Sequence, residues 1–245
     1  MAAEGGYLLI QLRPRTHPVS PPSVTKQFSQ LVAQDLIALG FTPNGTKQFG
    51  RLVGDIFQVV FLHVESRIRR EFMIEYCAFL ISVPHTHYRL EHGGRFPVGS
   101  RGTWYRADTP ERLEQSMTQV RAAIPALLDW FRASETLPGF LSTFSTHCSA
   151  QPPALVHNGH TAMTLACGHV SAGDFRAARL HAMRALSEFE SILASFRAQH
   201  PTADHWAPVC IERAQALIAA IYASATDSLL AEWRALTTGA LKIRR

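Results

Sequence analysis

Apolar residues recur at helical spacing through Phe28, Leu31, Val32, Leu36 and Leu39. A helix is therefore expected over residues 24–39, entered at the capping residue Ser23 and stopped by Gly40. The period then changes. Pro43-Asn44-Gly45 signals a turn, a strand is predicted over Thr46–Val53, and Gly54-Asp55 marks a second turn. Ile56–Val64 sets Ile56, Val60, Leu62 and Val64 on one side and Phe57, Val59 and Phe61 on the other. A strand apolar on both sides is expected to be central and covered on each face. Glu71–Val83 repeats the pattern and is expected as its antiparallel neighbour across the basic turn Arg67–Arg70. Strands that follow one another without intervening helices form a meander.

Helical spacing returns at Thr109-Pro110, a cap followed by proline at the first helical position. The predicted helix runs to about Arg132 with Leu113, Met117, Val120, Ile124, Leu127, Leu128 and Phe131 on one side, and Pro125 should kink it. A short helix is expected near Leu137–Thr143. Gln151-Pro152-Pro153 reads as an internal boundary, followed by helices over Leu155–His169, Phe175–Gln199 and Ala203–Thr238. Gly173-Asp174-Phe175, then Ala178 and Ala185-Leu186, follow the second-helix spacing of a tetratricopeptide-type hairpin, with alanines that let two helices approach closely. The four prolines of Pro14–Pro22 exclude regular structure there. Residues 1–22 read as an extension in which Tyr7–Leu12 is a candidate edge strand. The expected class is thus α+β: an antiparallel sheet packed by helices over 23–150, then an all-helical region over 151–245.

Composition narrows the class further. With 47% hydrophobic and 18% charged residues the chain is that of a folded protein. Its net charge of +5 comes almost wholly from arginine, since Lys26, Lys47 and Lys242 are the lysines. No run of five or six like charges marks a nucleic-acid-binding tail. Cys77, Cys148, Cys167 and Cys210 are widely spaced with no CxxC pair, which fits reduced thiols better than a disulfide framework. The apolar run Tyr7–Leu12 is too short for a signal peptide, and no segment reaches the roughly 20 apolar residues of a membrane span. A soluble, cytoplasmic protein is expected.

Chemistry concentrates in Pro84–Ala107, a stretch expected as a long loop, and long loops of this kind are often functional. Arg89, Arg95, Arg101, Trp104, Tyr105 and Arg106 combine planar cations with aromatic rings, the residue types enriched where proteins grip other proteins. The same set suits single-stranded nucleic acid or another anion. In the purely structural alternative, Trp104 and Tyr105 plug the sheet end while the arginines pair with Asp108, Glu111 and Glu114. His85 and His87 could join His63 or His92 in a three-imidazole metal site. Without an acidic residue to orient the rings, however, they read as solvent-facing loop histidines. Glu75 lies in an apolar run, where it is either an acid with a raised pKa or the partner of a nearby arginine. Cys148 beside His147, and Cys167 near His169, do not by sequence adjacency place a base on a thiol. The Gly99–Gly102 stretch has neither a nucleophile elbow nor a P-loop ending. No catalytic residue, metal or cofactor is assigned.

Leu39-Gly40-Phe41, Phe49-Gly50-Arg51, Phe57-Gln58-Val59, Gly99–Tyr105 and Ile124-Pro125-Ala126-Leu127 together resemble a bacterial domain-of-unknown-function family. Its members carry a helix ending in Gly-Phe, antiparallel strands, an Arg-Gly and Trp-Trp loop, and a long helix interrupted by proline. The resemblance covers residues 24–145, and Tyr105 stands where the family more often has a second tryptophan. Some members look like immunity partners of secreted toxins. The resemblance therefore implies a non-catalytic cytosolic immunity protein that neutralises a toxin by direct binding. Two alternatives stand beside it: a nucleic-acid- or phosphate-binding protein using the Arg/aromatic loop, and a hydrolase joining Glu75 to the His85/His87 edge.

Overall fold

A computed structural model of the chain describes residues 23–65, 70–85, 92–100, 102–150, 158–200 and 203–243. The extension over 1–22, most of the basic turn at 67–70 and the Gln151–Pro153 boundary lie outside the described residues. At the centre are two ten-residue strands, β3 (Ile56–Glu65) and β4 (Glu71–Leu80), paired antiparallel from Ile56 opposite Leu80 to Glu65 opposite Glu71. Before them in the chain, β2 (Gln48–Val53) pairs with β3, and β1 (Thr42–Pro43) pairs with β2. On the other side of β4, β5 (Gly93–Arg95) and β6 (Tyr105–Arg106) pair with different stretches of the same strand. The result is the expected antiparallel meander over β1–β5, with β6 as a further partner of β4: six strands among the described residues, where three to five were expected. Pro43 has no N–H to offer another chain, which blunts the outer edge.

The strands β5 and β6 fall where a loop was expected. They are held by backbone pairing, which leaves no alternation for the sequence to show. Glycine is what permits it: a Cβ on Gly93 would lie 2.0 Å from the Tyr76 carbonyl oxygen.

Side chains alternate across a strand, so the register sorts residues into two faces. Ile56, Gln58, Val60 and Leu62 share one face with Leu80, Ala78, Tyr76 and Ile74. Over half of that face lie α1 (Val24–Leu31), α2 (Ala33–Ile37) and α3 (Pro110–Ala133), burying Phe28, Leu36, Phe41, Leu113, Leu127 and Phe131 against Phe72, Ile74 and Tyr76. Over the other half lies a second core, in which Ile56, Ala78 and Leu80 meet Phe140 and Phe144 of α4 (Leu137–Ala150) and Ala166 of α5 (Asn158–Ser171). The opposite face, through Phe57, Val59, Cys77 and Phe79, is covered by Leu241 with Ile243 beside it. This is the two-sided burial that the pattern of β3 required.

Between the two helix-side cores sits one polar node. Gln58, fully buried, donates from Nε2 to the Phe131 carbonyl at 2.8 Å and to Ser134 Oγ at 3.2 Å. Its Oε1 accepts from Arg51 Nε at 2.7 Å. Arg51 also donates to the Leu39 carbonyl at 2.9 Å, pairs with Glu135, and lies over the Phe41 ring. Every polar atom that the strand carries into the core is thus matched, and the node ties β2 and β3 to the ends of α2 and α3.

Several helix boundaries differ from expectation. The first helix is broken at Val32, and Ser23 makes no side-chain cap; Val32, Ala33 and Leu36 are all buried in the core. In α3, Thr109 accepts from the Arg112 N–H at 3.3 Å as predicted. The helix continues through Pro125, which is solvent-exposed, so water can satisfy the carbonyl that the missing N–H leaves free. The α4 helix runs seven residues past Thr143, to Ala150. Its Ser and Thr hydroxyls bond back to the carbonyls of Gly139, Ser142 and Ser145, so they do not compete with the helix.

The helical region continues with α6 (Phe175–Gln199), α7 (Ala207–Tyr222) and α8 (Thr226–Ala240). Helices α5 and α6 form a hairpin through Gly173, whose φ of 76° suits the turn, and Asp174, which caps α6 by accepting from the Ala177 N–H at 3.0 Å. Ala162, Ala166, Ala178, Ala182, Ala185 and Ala214 are all buried where these helices pack. The helix expected over Ala203–Thr238 is two helices, separated at Ser224, whose φ is 53°. Among the described residues no helix is long and apolar enough to cross a membrane.

Candidate functional site

Glu75 stands in the middle of β4, opposite Phe61 of β3 and Arg95 of β5, on the face away from the helices. Its Oε2 lies 2.7 Å from His63 Nε2, and its Oε1 accepts from Arg95 Nε at 3.3 Å. Three adjacent strands each contribute one member. The arginine partner expected for Glu75 is thus present, and His63 is added to it. In sequence His63 stands out only as a metal-ligand candidate; folding β3 on β4 about the basic turn is what places it near Glu75.

Arg95 is held from behind as well. A Cβ on Gly102 would lie 2.4 Å from Arg95 Cβ, so the chain crosses the arginine stem at a residue whose φ of +92° also favours glycine. The Thr103 N–H then donates to the Phe96 carbonyl at 3.1 Å, fixing the approach to β6.

Adjacent residues of an extended chain point to opposite sides, and this separates Trp104 from Tyr105. Tyr105 turns inward and stacks on Phe72 with ring centroids 5.2 Å apart. It was expected on the contact face and is instead a core residue. Trp104 is 44% exposed. Arg106 is exposed and reaches Asp108 at 3.3 Å, a carboxylate that Arg112 also engages. Arg89 and Arg101 lie outside the described residues. The expected contact surface therefore comes down to Arg95, Trp104 and Arg106, beside the Glu75–His63 pair.

The histidines do not converge. His63 is on the open face. His92, expected to face solvent, is 1% exposed: it packs against Trp130 at 4.9 Å, Phe140 at 5.0 Å and Phe144 at 5.4 Å, with the His147 ring 5.9 Å away. Among the described residues neither of its ring nitrogens has a hydrogen-bond partner. Burial, and then the neighbouring His147, push its pKa down to about 3. The physical reason is register: Ala78 donates to the His92 carbonyl, which seats this residue on the helix-covered side of β4. His85 is also buried, not solvent-facing. Its ring packs on Phe79 and its N–H donates to Thr237 Oγ1 at 3.1 Å. His87 lies outside the described residues. Glu75 engages His63 at mid-strand while His85 follows the end of β4, so the Glu75/His85 arrangement is not assembled. Among the described residues no group of three or more His, Cys, Asp or Glu is placed to hold a metal ion.

None of the four cysteines is in a disulfide. Cys77 and Cys167 are buried, and burial pushes the Cys167 thiol up to about 12, which makes it a poor nucleophile. Comparison with protein-family models, with curated proteins and with solved structures gives no match for the chain.

Proposed function

We propose that the chain is a non-catalytic binding protein, of the immunity type that neutralises a toxin by direct contact, and that Trp104 with Arg95 and Arg106 is its grip. The observation that carries this reading is an exposed tryptophan at the sheet edge, just before β6, with one arginine already oriented by Glu75 and Gly102. Tryptophan and arginine are the residues that most often dominate binding energy, and a pre-oriented side chain loses less entropy on contact. The immunity class itself is the expectation drawn from the motifs over residues 24–145. The arginine excess favours a partner with an acidic surface, which would also speed association. The test is co-expression with the product of the adjacent reading frame. The two should copurify and the cells should be protected from its toxicity; no association and no protection would sink the proposal.

A hydrolytic reading has one observation in its favour, the 2.7 Å His63–Glu75 contact, in which a carboxylate orients an imidazole as it would a general base. It requires ester or amide hydrolysis that disappears in His63→Ala. Activity that survives the substitution, or no activity at all, removes it.

A further inference from the structure

Where β4 ends, Val83, Pro84 and His85 meet α5, α6 and α7 around a partly enclosed cavity of about 30 Å³. That is room for roughly one or two water-sized groups. Val83, Met163 and Phe189 supply apolar walls. Phe189 is pressed against Gly159, where a Cβ would lie 2.6 Å from the ring, and the His160 ring is set between Phe189 at 5.0 Å and Trp206 at 5.1 Å. The remaining lining is rich in donors: Arg213, His85, His160, Thr164 and Cys210, with no carboxylate among the lining residues. Arg213 is partly buried and donates to the Pro84 carbonyl at 3.3 Å; among the described residues no carboxylate pairs with it. A guanidinium drawn away from bulk water without a counter-charge favours an anion beside it.

We propose that this cavity binds one carboxylate-sized anionic group, as a free small acid or as the end of a larger molecule. The Arg213 fork takes its oxygens, and the Thr164 hydroxyl and the imidazoles offer further hydrogen bonds. A cation is disfavoured by the same guanidinium. Cys210 stands three residues before Arg213 on α7, hence on the same side of the helix, and gives the site a built-in reporter.

The experiment compares alkylation of the native protein by iodoacetate and by iodoacetamide at matched ionic strength, read at each cysteine by peptide mass spectrometry. With either reagent the thiolate sulfur bonds to the methylene carbon and iodide leaves, but only iodoacetate carries a carboxylate. Cys148, partly buried like Cys210 and not among the lining residues, is the internal reference. The iodoacetate-to-iodoacetamide rate ratio at Cys210 should exceed that at Cys148 by about tenfold, the scale of one charge-assisted bidentate contact. It should saturate with reagent and fall on adding acetate, but not on adding equal chloride. In Arg213→Lys, which keeps the charge and loses the fork, the ratio should drop toward that of Cys148, with near-UV circular dichroism confirming the fold. Equal ratios at the two cysteines, or chloride competing as well as acetate, would overturn the proposal.

Discussion

Burial of His92 among Trp130, Phe140 and Phe144, with no partner for either ring nitrogen among the described residues, gives the fold an acid-sensitive point. Its pKa is about 3 in the folded chain and about 6.5 in the unfolded one. The unfolded state therefore takes up the proton first. The stability is fully present above pH 6.5 and is lost as pH falls toward 3, at about 1.4 kcal/mol per pH unit. Urea unfolding between pH 7 and 4 measures that slope. The substitution His92→Phe, similar in shape and without nitrogens, should remove about one proton's share of it. An unchanged slope would assign the acid sensitivity elsewhere, for instance to His147 or His181, both also lowered by burial. Nothing around His92 in the sequence announces this, since a histidine between Glu91 and Gly93 reads as surface. Gln58 is the opposite case, a lone amide within an apolar strand whose buried partners could be anticipated. The variant Gln58→Leu, which strands Arg51 Nε, should cost about 3 kcal/mol in denaturant unfolding; a cost near zero would show that the node is not needed.

At the scale of elements, legibility followed how much of an element's signal lies in side chains. The β3–β4 pair could be read because its residues are apolar on both faces, and the α5–α6 hairpin because Gly173 and Asp174 punctuate it. The strands β5 and β6 could not, because their pairing to β4 is made by backbone and permitted by glycine. The α7–α8 break was missed because neither Gly nor Pro occupies Ser224-Ala225; the only hint was the cluster of helix-starting residues Thr226, Asp227 and Ser228. Adjacent Trp104 and Tyr105 could have been separated by alternation alone, had β6 been recognised as a strand. The substitution Gly93→Ala tests the close approach. It should destabilise the protein by about 3 kcal/mol or more and release amide protection at Ala78, whose N–H donates to the His92 carbonyl. Wild-type protection at that amide would contradict the account.

For the whole molecule, one sheet organises everything: two helical cores on one face, and on the other a C-terminal cover over half its length and, over the rest, the His63–Glu75–Arg95 cluster, where Met73 and Glu75 are buried while His63 and Trp104 reach solvent. The cover is thin. Leu241→Ala should cost about 2 kcal/mol and expose Cys77 to thiol reagents, since Leu241 packs with Phe57, Val59, Cys77 and Phe79. A Cys77 that stays inert would mean that something besides Leu241 shields it. Trp104, exposed beside that cluster, is the proposed grip, and the affinity of the purified partner for Trp104→Ala, measured by calorimetry beside Arg132→Ala, an exposed arginine on α3, tests it most directly. Loss of about 2 kcal/mol, roughly thirtyfold in Kd, for the tryptophan variant and little change for the control is the predicted result. Equal affinity of both variants and the parent chain would contradict it.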